Sequence, residues 1–383
     1  MSMWSRAARP PQQRAFQGIP QYGNISGYNI PNRTGVGRHG SIVVTDDRAM
    51  QHSAVWACLR LRADLMSTFP VDVLRDLDGI PAQMPKPPVL VSPGGQGWSL
   101  MQWMWASQRD LDSAGNAIGV IEARNGIQTP YYPDGLPSVI QLADPRNCSV
   151  IWWKGKLQYR INGKIYQPRD VYHEKQYPLS GSPVGLSPLL NAARSIGEYL
   201  SMQQHSLDWF GSGGVPKAWM KNTVKRLNDT ERDGAKGWYH DTIQNGDLMV
   251  TGNDWEYNMI QAEQLGLEWL EGRRFGLTEI ARFFGVPADL IDAAISGQSV
   301  TYANMTQRNL QFLIMNLNAA VIRREEYLTN LLPQPRYVKL NTDALLRMDP
   351  EARQAMLRSQ LETWQIDLDE ARKLDNRPPL TQR

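Results

Sequence analysis

LEWLEGRRFGLTEIARFFGVPADLI (residues 267–291), resumed at residue 301 as TYANMTQRNLQFLIMNLNAAV (301–321), is the stretch around which the rest of the sequence can be ordered. Its apolar spacing predicts a helix from about Leu265 to Phe284, stopped by Gly285 and Pro287. Glycine accepts the left-handed backbone of a helix end, and proline has no N–H with which to continue one. At about 100° per residue, Glu268, Glu271, Phe275, Glu279 and Arg282 fall in a stripe roughly 80° wide. Trp269, Leu270, Leu277, Ile280, Ala281 and Phe284 lie mostly away from that stripe and suit packing. Ala293 to Gln307 then carries no charge at all. A second long helix is predicted over roughly Tyr302 to Leu332, closed by Pro333 and Pro335.

Upstream of this block, Ser187-Pro188 reads as an N-cap and first helical position, opening a helix from Leu189 to Phe210 that ends in GSGG (Gly211 to Gly214). A small mixed section follows, with strand VPKAWMK, helix DTERDGAKGWYHDTIQ and strands in GDLMVTGNDWEYNMI. Earlier still, Thr45 with Asp46 and Asp47 marks a helix start, and apolar spacing carries helix to Pro70. The strand VDVLRD runs into a turn at Gly79, Ser99 to Asp112 reads as helix, and strands alternate with turns from Ala117 to about Tyr177. Asn162-Gly163 is a hairpin signal. After the second long helix come a strand, RYVKLN, and one amphipathic helix from Pro350 to about Leu374. The class is α+β.

Composition narrows what such a chain does. Its 383 residues allow two or three domains, and 42% hydrophobic with 21% charged residues is ordinary for a globular protein. The formal charge of +3 argues against tight gripping of nucleic acid by its phosphates. Residues 1–44 differ: Arg6, Arg9, Arg14, Arg33 and Arg38 are met by no acidic residue, which predicts a basic, flexible N-terminal arm. Cys58 and Cys148 stand apart and outside any CxxC pair, so they read as small buried hydrophobes. No apolar leader and no run of eighteen apolar residues occurs, which predicts neither secretion nor membrane spanning.

Catalytic motifs nearly match and fail on context. Gly35, Gly37 and Gly40 spell GxGxxG, but a polar arm precedes them and strand-like SIVV follows, where a phosphate cradle needs strand then helix. His173-Glu174 begins a zinc-protease string, yet the next ligand position is Tyr177. There is no GxxxxGK[ST], and GLSPL around Ser187 lacks the last glycine of a nucleophile elbow. His39, His52, His205 and His240 are isolated, and Asp76 and Asp78 flank Gly79 as turn residues. No catalytic residue, metal or cofactor is expected.

The block at 267–321, with its Ile-Ala-x-x-Phe-Gly-Val-Pro helix end, its variable loop and its long helix opening near Tyr-x-Asn, resembles the phage portal (connector) proteins, in the branch typified by lambdoid siphophages. Lesser echoes are Gly115-Asn116-Ala117, Asp170-Val171-Tyr172-His173, Gly185-Leu186-Ser187-Pro188-Leu189 and Leu346-Arg347-Met348-Asp349, in family order from about Thr45 to Leu380.

The resemblance implies an α/β wing at 45–186 and stem helices at 187–212 and 264–285 flanking a small clip at 213–263. A tunnel loop at 286–301, a long helix at 302–335 and a short helical crown at 336–383 complete it. It implies a structural ring subunit, in twelve copies, at one capsid vertex of the virion, assembled in the bacterial host cytoplasm. The ring would pass double-stranded DNA without sequence specificity during packaging and ejection. Implied partners are the large terminase subunit, the major capsid protein and a head–tail adaptor, with no membrane. Candidate channel-lining residues are Glu268, Glu271, Glu279, Arg282, Ser296, Gln298, Ser299 and Thr301; candidate clip residues facing the terminase are Lys217, Lys221, Lys225 and Arg226. The charged stripe reads equally as a solvated outer face or as a channel wall whose carboxylates keep phosphates from sticking. An accessory head-completion ring protein and a DNA-processing enzyme are the competing readings.

Overall fold

In the computed structural model, which describes residues 27–29, 33–34, 44–95, 97–153, 156–211, 218–245, 254–259, 267–291, 302–342, 350–374, 377–378 and 380, two short pieces of the expected arm are strands. These are β1 (Gly27–Asn29) and β2 (Arg33–Thr34), the latter paired with β3 (Val44–Thr45). Thr45 caps α1 (Asp46–Met50), its hydroxyl accepting from the Arg48 N–H at 3.3 Å. Helix does not run unbroken to Pro70. His52 turns the backbone out and starts α2 (Ser53–Thr68) afresh, its Nδ1 accepting from the Ala54 N–H at 3.1 Å. An imidazole nitrogen thus does the work of a serine cap, which residue-type statistics do not foresee.

Strands β4 (Val71–Leu77) and β5 (Ile80–Gln83) form a hairpin whose two turn residues, Asp78 and Gly79, both have positive φ, 52° and 82°. That turn matches the right-handed twist of the strands. Ser99 opens α3 (Leu100–Ala114) with a reciprocal capping box to Gln102. Then come β6 (Asn116–Arg124), β7 (Pro137–Ala143), β8 (Cys148–Trp153), β9 (Lys156–Ile161), β10 (Lys164–Tyr166) and β11 (Val171–Lys175). Asn162 and Gly163, at φ 49° and 81°, make the β9–β10 turn. All strand pairings among the described residues are antiparallel. One sheet has the order β11-β6-β7 and another β1-β8-β9-β10.

Ser187 caps α4 (Pro188–Asn191), its hydroxyl accepting from the Leu190 N–H at 3.0 Å, and a turn at Ala192 separates it from α5 (Ala193–Gly211). Strand β12 (Ala218–Asn222), α6 (Asp229–Asn245) and β13 (Trp255–Met259) follow, with β12 and β13 paired. Next is α7 (Leu267–Phe284). The second long helix is not uniform: α8 (Tyr302–Gln311) passes through a π-helical segment, Phe312–Leu317, into α9 (Asn318–Thr329). Strand β14 (Tyr337–Leu340) returns to the far end of the chain and pairs with β4 in the order β14-β4-β5. The C-terminal helix is broken into α10 (Pro350–Glu362) and α11 (Leu368–Leu374). Trp364 sits at φ 58°, a conformation no helix continues through, and the Asp367 carboxylate accepts from the Leu368 N–H to begin again.

Three apolar clusters hold the described residues together. One joins α2, α3 and β4 to α9 and β14 through Met66, Trp103, Met104, Val321 and Val338. A second joins α2 and α5 to α7 through Val55, Leu59, Ile196, Ile280 and Phe284. The third lies on the strands, around Ile118, Val150, Tyr159 and Ile161. Each such side chain contributes about 1.5–3 kcal/mol when fully buried. Cys58 and Cys148 are free thiols buried within these clusters, and burial pushes both up to about 12.

Candidate functional site

Helix α7 is pressed against α5 at two glycines. A Cβ on Gly276 would stand 3.3 Å from the Tyr199 ring, tight enough to need a small shift, and one on Gly272 would make ordinary contact with the Met202 methyl at 3.4 Å. Arg273 donates to the Tyr199 hydroxyl at 3.0 Å, and the Tyr199 ring also meets His52, centroids 3.9 Å apart. Burial lowers the His52 imidazole to about 4, and the nearby Arg273 charge acts in the same direction. Ile280, Ala281 and Phe284 are buried. On the opposite side Glu271 and Arg282 are exposed, Phe275 is 59% exposed and Glu279 is half-buried. The Arg282 guanidinium lies 5.8 Å from the Phe275 ring centre. The described part of the charged stripe is therefore one continuous face turned away from the chain's own core. Glu268 is placed on the same helix. Ser296, Gln298, Ser299 and Thr301 lie outside the described residues.

The end of α7 is closed by a pair of bonds that requires a left-handed residue. Gly285, at φ 63°, donates to the Arg282 carbonyl at 3.0 Å, and Val286 donates to the Ala281 carbonyl at 2.9 Å. The flanks of the following loop are tied together, since Arg308 on α8 lies 2.6 Å from the Asp289 carboxylate. This pair is partly exposed and adds at most about 1 kcal/mol, but it fixes the loop's two ends near one another.

The strongest anchor was not legible in the sequence. The Phe284 carbonyl accepts from Arg62 of α2 at 3.2 Å, and Arg62 Nε lies 3.1 Å from Asp112 of α3, both side chains buried. Asp112 also accepts from Gln108 and Gln176, each at 2.9 Å. The Gln108 carbonyl oxygen accepts from Arg324 of α9 at 3.1 Å, and Arg324 in turn lies 3.0 Å from Glu174. Arg324 also donates to Ser107 at 2.7 Å, and Tyr172 donates to Glu174 at 2.8 Å. One buried polar chain thus runs from the last carbonyl of α7, through α2 and α3, to α9 and β11. Burial works against the charge on Arg62, but Asp112 more than offsets it and the guanidinium stays protonated. Beside it, Asn116 accepts from Gly185 N–H at 2.8 Å and from His173 Nε2 at 2.9 Å, while Tyr159 donates to His173 Nδ1. His173, lowered to about 3 by burial and then by Lys175, is a neutral structural member.

Three of the four candidate clip cations fall on described residues. Lys221 lies on β12 opposite Glu256, and Lys225 and Arg226 are exposed in the turn after it. Lys225 is engaged by Glu231, which with Asn228 forms the capping box of α6. Lys217 lies outside the described residues. Among the described residues no three His, Cys, Asp or Glu side chains are grouped to hold a metal, and no helix is long and apolar enough to cross a membrane.

The sequence and the fold are similar to those of known proteins. The sequence model of the phage portal protein family matches residues 53–376. The portal protein of Enterobacteria phage HK97 is 24% identical over 373 residues, spanning 92% of this chain and 86% of that protein. The probable portal protein of Streptomyces phage phiC31 is 26% identical over 384 residues, spanning 92% and 80%. The fold matches an HK97-family phage portal protein from Corynebacterium diphtheriae with TM-score 0.61 at 18% identity, over 81% of this chain and 99% of that one. It also matches a chain in the neck of a native gene transfer agent particle computed with C12 symmetry, with TM-score 0.53 at 18% identity, over 90% and 97%. With the match running from the start of α2 through α11, the chain belongs to the phage portal protein family and is a structural portal subunit.

Proposed function

We propose that the chain closes with identical copies into a ring of twelve at one vertex of the capsid, and that α7 and the loop after it line the passage for double-stranded DNA. The observation that carries this reading is the face of Glu271, Phe275, Glu279 and Arg282, open on a helix whose other side is buried, leading into a stretch, 293–307, without a single charge. Carboxylates repeated around a ring repel phosphates, and an uncharged collar gives them nothing to grip, so DNA slides in either direction. Twelve helices spaced about 10 Å apart give a circumference near 120 Å and a radius of about 19 Å to their axes. Subtracting a half-helix of about 5 Å leaves a lumen of roughly 28 Å, wide enough for a duplex.

In this reading residues 45–186 form the wing, 187–212 and 264–285 the stem, 213–263 the clip, 286–301 the tunnel loop and 336–383 the crown. Residues 302–335, the long helix, tie the loop back to the wing through Arg324. Lys217, Lys221, Lys225 and Arg226 of the clip face the large terminase subunit, which supplies ATP hydrolysis; this chain itself is not an enzyme. The wing meets the major capsid protein and the clip a head–tail adaptor, and assembly takes place in the host cytoplasm. Electron microscopy of the purified full-length chain tests the core of this reading. Closed rings with a lumen near 28 Å are the expected result, and a 43 kDa species alone at every salt concentration overturns it.

A further inference from the structure

Two exposed surfaces are built on charge-free runs of sequence, though the Trp105 indole N–H in the first donates to the Asp64 carboxylate of α2 at 2.7 Å. Residues 87–108 contain no Asp, Glu, Lys, Arg or His, and neither do residues 312–322, in a chain that is 21% charged. The first run carries a groove of about 380 Å³ along the start of α3, walled by Gly97, Trp98, Met101, Gln102, Trp105 and Ala106. Trp98 is 44% exposed there and Met101 54%. The second run carries a ridge along the π segment and α9, where Ile314, Met315 and Ile322 are 52%, 75% and 54% exposed. Depletion of charge together with exposed Trp and Met is the composition of an interface core, not of a solvated helix.

The placement of the two surfaces says what covers them. Ser107 and Gln108 hold Arg324, so α3 and α9 face one another through those residues. Ile322 lies about 160° round α9 from Arg324, and Met101 and Trp105 lie about 70° and 110° round α3 from the middle of the Ser107/Gln108 face, with Gln102 and Ala106 further round. The groove and the ridge therefore lie on separate flanks of one subunit, one lined by aromatics and the other aliphatic. A pair of unlike, complementary patches on separate flanks is what head-to-tail association requires; a two-fold dimer uses one patch twice.

We propose that the ridge of one copy, Ile314, Met315 and Ile322, seats in the groove of the next, against Trp98, Met101 and Trp105, and that this contact is repeated around the ring. It rests on the ring reading above and adds to it the two surfaces that meet. All six side chains named are on described residues, and the substitutions below fall on exposed positions whose replacement leaves the clusters inside the subunit intact.

The test uses the full-length chain. A ridge variant, Met315→Glu with Ile322→Glu, and a groove variant, Met101→Glu, are each expected to lose rings while keeping the wild-type circular dichroism. Mixed together, they are expected to give 1:1 dimers and nothing larger, because each supplies the one intact patch the other lacks. Independently, Met101→Cys with Met315→Cys, treated with a short bismaleimide, should give a ladder of covalent multimers on a denaturing gel. Neither single cysteine variant should do so, since Cys58 and Cys148 are buried. Rings from both glutamate variants, or wild-type rings with no ladder from the double cysteine variant, place the contact elsewhere and leave the ring reading standing. A wild-type chain that never forms rings removes the ring reading and this contact with it.

Discussion

Replacing Arg62 by methionine should loosen the end of α7 as well as destabilise the subunit. At 3.1 Å and an effective dielectric of about 20, the attraction between Arg62 and Asp112 is on the order of 5 kcal/mol. The substitution leaves Asp112 buried with only the Gln108 and Gln176 amides to bind it, and leaves the Phe284 carbonyl without its donor. Breaking one side of a buried pair costs about 3–5 kcal/mol, and that is the loss expected in urea unfolding followed by tryptophan fluorescence. Adding Asp112→Leu removes the orphaned charge, so the double variant should be more stable than the sum of the two single losses by about 2–3 kcal/mol. Hydrogen exchange should quicken at the Gly285 and Val286 amides in the single variant, because the helix end they close is no longer held to α2. A single variant within about 1 kcal/mol of wild type, or strictly additive losses, would refute the reasoning that this pair is buried and mutually dependent.

Three further outcomes are expected. Glu268→Lys with Glu279→Lys should leave rings intact in micrographs yet slow packaging in vitro, with relief as salt rises; a normal rate at low salt moves the stripe to the outside of the ring. His52 and His173, held to about 4 and about 3, protonate near 6.5 once unfolded, so the stability they lend is full at neutral pH and lost as pH falls below about 6.5. Asp110, pushed up to about 7 by burial, acts in the opposite sense, its contribution full in acid and lost as pH rises from about 4 to 7. Going from pH 7 to pH 5 should therefore cost about 4 kcal/mol in the Asp110→Asn variant and roughly half that in wild type, read from urea midpoints at each pH. Equal losses in the two proteins would contradict that assignment. Gly115→Ala should abolish soluble expression or cost several kcal/mol in unfolding, since φ is 75° and the new Cβ would stand 2.1 Å from the Leu186 carbonyl oxygen; wild-type stability would mean the loop around Leu186 gives way freely.

Local signals in this sequence could be read because their partners are local. Asp78-Gly79, Asn162-Gly163 and Ser187-Pro188 each complete a cap or turn within a few residues. The break at His52 and the split at Trp364 were missed because they come from an unusual cap and a strained residue that periodicity does not register. The π segment was missed for a similar reason, since one extra residue in a turn barely disturbs an apolar pattern over thirty positions. The stripe on α7 was legible from helical spacing alone. The Arg62 bond to Phe284 and the Arg324 bond to Ser107 were not, because their partners are 222 and 217 residues away and only the fold brings them together. Arg62 within AVWACLRLRADLM did carry a trace, as a cation on a helix face otherwise given to Val55, Cys58, Leu59 and Met66.

The pairing of β14 with β4 bears on how the chain is made. Val71–Leu77 leaves the ribosome about 260 residues before Tyr337–Leu340 does, which at about 5–20 residues per second is a wait of roughly 13–50 s. Throughout that interval one edge of β4 has no strand beside it and the apolar cluster around Met66, Val73 and Trp103 lacks Val338, and for most of it Leu317 and Val321 as well. A nascent chain of this length is thus a half-built core with an open sheet edge, the kind of surface that recruits chaperones or like chains. The arrival of residues 337–340, not that of the first two hundred residues, completes this sheet and its core. Truncated products ending before residue 337 should accumulate as aggregates and poison rings made alongside them.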